Sequence, residues 1–234
     1  MAPKPECVYF LDVDNTLLDN DALTQELMQH LADEFGPAHR DRYRAIFEEL
    51  RTELGYADYL GALQRYRLSE PSNTRLLLIG SFLIDYPFRS RLYPDALAVL
   101  RHLRRFGPCV LLSDGDVVFQ PRKIQRSGLW EAVDGHVLIY IHKEQMLDEA
   151  LALYPASHYV MVDDKLRILT AMKSHMGERL TTVFPQQGHY ANDPVELAKY
   201  PAADLSIPHI GVLLNTDMGS LVVPQGNDSP VDSS

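Results

Sequence analysis

Cysteine is scarce: Cys7 and Cys109 are the only two in 234 residues, and both sit in short apolar runs. Two cysteines cannot form a disulfide framework or a cysteine-rich zinc site, so a packed core has to hold this chain, and a reducing, cytoplasmic setting is expected. Positive charge is also short, with 22 Lys and Arg against 32 Asp and Glu and a net charge of −10. That balance repels phosphate backbones and anionic membrane surfaces, which argues against nucleic-acid and membrane partners. No apolar run approaches the roughly 20 residues of a membrane-spanning helix. The N-terminal stretch reaches an aspartate pair before any signal-peptide core has formed, so export is not expected. Glycine-rich dinucleotide and phosphate-loop fingerprints are missing, and the nine histidines form no His-Glu-x-x-His pattern. A nucleotide-dependent kinase and a zinc hydrolase of that type are therefore poor fits.

What the chain does have is ordinary globular material, 46% hydrophobic and 23% charged. Its length suits one main domain with a substantial insertion. Cys7 to Leu11 reads as a buried strand that ends in Asp-Val-Asp-Asn. From Asn20 the period changes, because Leu23, Leu27 and Leu31 recur at steps of four until Gly36-Pro37. Tyr43, Ile46, Phe47, Leu50 and Leu54 repeat that spacing, as do Tyr59, Leu60, Leu63 and Tyr66, and Leu76 to Leu83 predicts a more deeply buried helix.

After Pro94, short apolar runs alternate with helical segments. Strands are expected at Cys109 to Leu112, Val137 to Ile141, Tyr159 to Val162 and Leu180 to Phe184, with a short edge element at Ala203 to Ile207. Helices are expected at Ala96 to Phe106, Val117 to Ser127, Glu144 to Leu153 and Leu166 to His175. This rhythm predicts an α/β fold with a parallel sheet covered on both faces. The domain reading is a core of residues 1–18 and 94–217, an all-helical insertion of residues 19–93, and a flexible tail of residues 218–234.

Chemistry-bearing residues gather where these strands end. The first strand runs into Asp12, Asp14 and Thr16, the second into Ser113-Asp114-Gly115-Asp116, a later one into His142-Lys143, and the next into Asp163-Asp164. Loops at the carboxyl ends of parallel strands converge on one crevice, so carboxylates, a hydroxyl and an ammonium would meet there. That set suits an anion beside a hard divalent cation.

In order, spacing and apolar lead-ins, these four motifs resemble those of the haloacid dehalogenase-like superfamily of phosphohydrolases and phosphotransferases. The resemblance implies a Rossmann-like core and a helical cap that closes over the catalytic loops. It further implies that Asp12 is the nucleophile and Asp14 the general acid and base. Thr16, Ser113 and Lys143 would bind phosphate. Mg²⁺ would be held by Asp12, the Asp14 backbone carbonyl and Asp164, with Asp163 as a second ligand or support. The implied substrate is a small phosphorylated metabolite. Two departures stand out: Asn15 occupies a position where relatives often have glycine, and Ile168 replaces a further acid of the fourth motif. Asparagine tolerates the left-handed turn that glycine would serve there.

Other residues admit plainer roles. Arg89 and Arg91, near the return from the insertion, are candidates for a substrate's distal anion or are solvated hinge charges. Asp116 reads as a helix N-cap, and Tyr56, Tyr59, Tyr66 and Phe82 as cap packing. Phosphoryl transfer to another acceptor and a catalytically silent phosphate-binding module are the competing functions. Dehalogenation fits less well, since Asp14 suits protonation of a leaving oxygen, which halide departure does not need. The sequence leaves monomer and homodimer open.

Overall fold

A computed structural model describes residues 5–70, 74 and 76–222. In chain order the elements are β1 (Cys7–Leu11), α1 (Asn20–Phe35), α2 (Pro37–Leu54), α3 (Tyr59–Ser69), α4 (Leu76–Asp85), α5 (Ala96–Leu103), β2 (Cys109–Asp114) and α6 (Phe119–Ser127). They continue with α7 (Leu129–Ala132), β3 (Val137–Tyr140), α8 (Leu147–Leu153), β4 (His158–Val162), α9 (Leu166–Met176), β5 (Leu180–Pro185), α10 (Pro194–Leu197), β6 (Leu205–Ile207) and α11 (Met218–Val222). The sheet is wholly parallel in the order β3-β2-β1-β4-β5-β6. Strand order reverses at β1, which pairs with β2 on one side and β4 on the other, and such a switch opens a crevice beyond the strand ends.

The uninterrupted apolar run of β1 follows from burial on both faces. Cys7, Tyr9 and Leu11 join one hydrophobic cluster, whereas Val8 and Phe10 join the other. The same alternation divides β2, with Cys109 and Leu111 on one side and Val110 and Leu112 on the opposite one. Both thiols are free and buried, and burial raises that of Cys7 to about 11 and that of Cys109 to about 12. Both pack within one hydrophobic cluster of the sheet.

The inserted cap is built by amphipathic spacing. Asp19 accepts a hydrogen bond from the Ala22 amide at 2.9 Å and starts α1, whose Leu23, Leu27 and Leu31 are fully buried. Burial of each such leucine contributes about 1.5–3 kcal/mol. Gly36, with φ of 94°, ends α1, and Pro37 begins α2 at the position where a missing N–H costs nothing. Gly55, with φ of 80°, closes α2 in the left-handed conformation. Tyr43, Phe47, Tyr59 and Tyr66 form the aromatic centre of the cap. The two chain crossings between cap and core are laced together: Asp19 N–H donates to Arg91 O at 2.7 Å and Tyr93 N–H to Leu17 O at 3.0 Å.

Several expectations require correction. In α4 only Leu76, Ile79 and Leu83 are buried, while Leu77 and Leu78 face solvent at 64% and 54% exposure, so the apolar run overstated its burial. The helix expected from Glu144 begins at Leu147, after a tight turn at Lys143–Gln145 that places Lys143 inward. The tail expected from residue 218 starts instead with α11, because Met218 and Leu221 are buried. The remainder of that tail, residues 223–234, lies outside the described residues.

Candidate active site

Asp12 follows β1, and its amide continues the ladder to β4 by donating to Val162 O at 2.9 Å. The chain then turns tightly, with Leu17 and Leu18 N–H both bonded to Val13 O at 3.0 and 2.9 Å. Val13, Leu17 and Leu18 are completely buried, which anchors the turn from beneath. Asn15 adopts the left-handed conformation, φ 59°, as its residue type allows. Its Oδ1 accepts from the Asn20 and Asp21 amides at 3.0 and 3.2 Å, fixing the start of the cap to the loop after β1.

Lys143 reaches this loop from the far side. Its buried ammonium lies 2.5 Å from Asp12 Oδ1, 3.2 Å from Leu112 O and 2.7 Å from Asp163 Oδ2. The last contact is an ion pair without hydrogen-bond alignment, so Asp163 Oδ2 stays unsatisfied as an acceptor. Lys143 stays charged despite its burial, because Asp12, Asp163 and Asp114 outweigh the desolvation that pulls its pKa down. Asp114 turns inward to accept the Lys143 amide at 2.7 Å, and burial raises its carboxyl.

Asp12, Asp163 and Asp164 each offer an oxygen within 4.8 Å of the others. Asp12 Oδ2 and both Asp164 oxygens are buried with no hydrogen-bond donor. Burial pushes Asp163 up to about 6 and Asp164 well above the ordinary carboxylate range, with the neighbouring aspartates adding to the rise. Closely spaced carboxylate oxygens without hydrogen-bond donors are hard ligands, and beside the Lys143 ammonium they still fit a divalent cation.

The predicted hydroxyls differ in what they do. Ser113 lines the cleft and receives a 2.9 Å hydrogen bond from Gln120 Nε2. Thr16, expected to bind phosphate, is fully buried, and its Oγ1 accepts the Asp164 amide at 3.1 Å. It braces the fourth-motif loop against the first, and it is not among the residues lining the cleft. Asp116, read as the N-cap, lies two residues ahead of the cap position Val118, and its Oδ1 accepts from the Val118 and Phe119 amides at 2.8 and 2.7 Å in the turn that leads into α6. Arg89 and Arg91 stand apart from the cleft: Arg91 pairs with Glu26 and Tyr86, and Arg89 packs beside Gly128. In their place the cap presents Arg51 and Tyr56, so Tyr56 faces the cleft and is not buried cap packing.

The cleft between cap and core has a volume of about 60 Å³. A hollow of about 110 Å³ adjoins it, sharing Gly55, Lys165 and Tyr190 and floored by Leu166, Leu197 and Tyr200. Three participants were missed in the sequence. Lys123, only 1% exposed, ion-pairs with Asp14. Gln120 holds Ser113, and Gln187 donates to Thr16 O at 3.1 Å. A signal for the first two existed: Gln120 and Lys123 share the helical face of Phe119, Ile124 and Ser127, all buried.

Residues 8–175 match the family model for haloacid dehalogenase-like hydrolases. The chain belongs to the haloacid dehalogenase-like hydrolase family. A solved structure assigned to that family, from Burkholderia xenovorans LB400, is 65% identical, covers 91% of this chain and 99% of its own, and superposes with a TM-score of 0.88. The HAD-hydrolase YfnB of Bacillus subtilis, solved with magnesium bound, is 15% identical with a TM-score of 0.61, over 91% of this chain and 100% of its own. An L-2-haloacid dehalogenase from Xanthobacter autotrophicus is 18% identical with a TM-score of 0.57, over 90% of this chain and 97% of its own. The two distant likenesses establish the shared fold. No curated protein matches the chain at significant similarity. Among the described residues, no helix of this family member is long and apolar enough to cross a membrane.

Proposed function

We propose that this protein is a Mg²⁺-dependent phosphatase that hydrolyses a small phosphorylated metabolite through an aspartyl-phosphate on Asp12. One observation carries the reading: Lys143 holds Asp12 Oδ1, Oδ2 is buried without a donor, and a second carboxylate, Asp14, lines the same cleft two residues on. A lone nucleophile would need no such companion, whereas displacement of an alcohol from phosphorus needs both a nucleophile and a proton donor.

In the first step an Asp12 oxygen attacks phosphorus and the ester P–O bond breaks. The electron pair departs on the alcohol oxygen, which takes a proton from Asp14. In the second step a water gives a proton to Asp14 and attacks the same phosphorus, which releases inorganic phosphate and restores the Asp12 carboxylate. Ser113, whose hydroxyl is oriented by Gln120, faces the phosphoryl oxygens from the cleft lining, while Lys143, buried outside that lining, acts by neutralising Asp12 and Asp163. Thr16 serves the site by fixing the Asp164 amide. Asp12, Asp164, Asp163 and the Asp14 backbone carbonyl would hold Mg²⁺, which supplies charge neutralisation at the phosphoryl group.

Arg51 and Tyr56 from the cap and the adjoining hollow give a small leaving group a place to sit. The family-model match and the magnesium bound to YfnB support the same reading. The test is a screen of phosphate esters with Mg²⁺, run beside the Asp12→Asn variant and beside 2-chloropropionate. Phosphate release by the native chain, abolished in Asp12→Asn, is the expected result. Chloride release without phosphate release, or full turnover by Asp12→Asn, would overturn the proposal.

A further inference from the structure

We infer that Lys123 is a positioning residue for Asp14 and that, through Asn20 and Tyr59, it ties the direction of that carboxylate to the seating of the cap. The inference rests on the phosphatase reading, in which Asp14 handles the leaving-group proton. Lys123 lies on α6 of the core with its ammonium 2.7 and 2.9 Å from the two Asp14 oxygens and 3.0 Å from Asn20 Oδ1. An ammonium has three N–H donors, and all three are thereby used.

The third acceptor belongs to the cap. Asn20 is the first residue of α1, and its Nδ2 donates to Tyr59 Oη at 3.0 Å. Tyr59 opens α3, and its hydroxyl also meets Thr24 Oγ1 at 2.7 Å. The relay Asp14–Lys123–Asn20–Tyr59 thus passes from the catalytic loop through a core helix to two cap helices. The rings of Phe119 and Tyr59 stand 5.4 and 5.9 Å from the ammonium and close the remaining space around it.

A purely structural demand at this position would be met by an apolar chain of similar length, since the pocket walls are aromatic and an ammonium must be desolvated to enter it. The charge is explained by its acceptors. An ammonium that lost Asn20 would keep only the two Asp14 oxygens as acceptors and would no longer be held from the cap side, so displacement of the cap lets the ammonium and the carboxylate bonded to it turn together. Proton transfer to a leaving oxygen depends steeply on that direction, because a misplacement of about 1 Å can cost 10²-fold in rate.

The experiment compares kcat/KM for phenyl phosphate and p-nitrophenyl phosphate in the native chain, Lys123→Met, Tyr59→Phe and the double variant, with folding checked by circular dichroism. Phenolate is the more basic leaving group and depends more on the acid, so a misdirected Asp14 penalises phenyl phosphate selectively. Lys123→Met is expected to lower the phenyl ester at least about 10-fold more than the nitrophenyl ester, part of the 10²–10⁴ that a general acid provides. Tyr59→Phe keeps the ring and is expected to shift the same ratio about 2–10-fold, the effect of one hydrogen bond. The double variant should match Lys123→Met, since the two act through one relay.

Equal losses on both esters, or fully multiplicative effects in the double variant, would overturn the inference. If Lys123→Met does not fold, an unchanged ester ratio in Tyr59→Phe alone overturns it. A native chain that hydrolyses neither these nor any other ester of the Mg²⁺ screen, or an Asp12→Asn chain that hydrolyses both, contradicts the phosphatase reading itself and removes the inference with it.

Discussion

Replacing Asp164 by asparagine should stabilise the metal-free protein while abolishing its response to Mg²⁺. Asp164 is fully buried, neither of its oxygens has a donor, and it shares a space of 4.8 Å with the carboxylates of Asp12 and Asp163. An amide keeps the shape, removes one like charge, and can donate to the neighbouring carboxylates. Relief of an unsatisfied buried polar group is worth about 1–3 kcal/mol. In a chain of this size each kcal/mol moves the melting temperature by about 2–4 °C, so metal-free Asp164→Asn should melt roughly 2–12 °C higher than the native chain. Mg²⁺ at 100 times its Kd adds about 2.7 kcal/mol to the native protein, or roughly 5–11 °C. The variant should gain only a small fraction of that. Thermal unfolding followed by circular dichroism, with chelator and then with Mg²⁺, reads both effects. A metal-free variant less stable than the native chain, with an intact Mg²⁺ shift, would refute the argument that the Asp164 oxygens serve as cation ligands.

Two further outcomes follow from the geometry. Thr16→Val removes the acceptor for the buried Asp164 amide; denaturant unfolding should show a loss of about 1–3 kcal/mol, and a neutral result would deny Thr16 its bracing role. His158, whose Nε2 lies 2.9 Å from Thr181 Oγ1, is held below its ordinary 6.5 by burial. The unfolded chain therefore binds more protons near that pH, so native stability should fall as pH drops below about 6.5. His158→Gln should lose part of that slope in urea titrations between pH 7.5 and 5, and an unchanged slope would assign the effect elsewhere.

What could be read without the structure was whatever depends on local pattern. β1 and β4 announced themselves as apolar runs because both faces are covered, and the leucine ladder of α1 reported its buried stripe directly. The four strand ends could be placed in one crevice because parallel strands share a carboxyl edge, and Asp12, Ser113, Lys143 and Asp163-Asp164 do meet there. Contacts made between distant segments were not legible. Lys123 lies 109 residues from Asp14, and its polar character on a helix gives no hint of burial until Phe119 and Ile124 are seen on the same face. Arg89 and Arg91 sit near the hinge in sequence, yet the partner geometry of Arg91 with Glu26 and Tyr86 takes it out of reach of the cleft. Tyr56 reads as cap packing in an aromatic-rich insertion, and nothing in the spacing of α2 marks Arg51 as a cleft residue. The reassignment of Thr16 has the same origin, since its partner amide belongs to Asp164, 148 residues later.

The most direct test of the account is to trap the covalent intermediate. The native protein, mixed with Mg²⁺ and the best ester from the screen and quenched in acid within the first turnovers, should carry a phosphoryl group on the peptide containing Asp12, and Asp12→Asn should carry none. Turnover with no phosphoryl group on that peptide, or with the label on another residue, would contradict the central claim that Asp12 is the nucleophile.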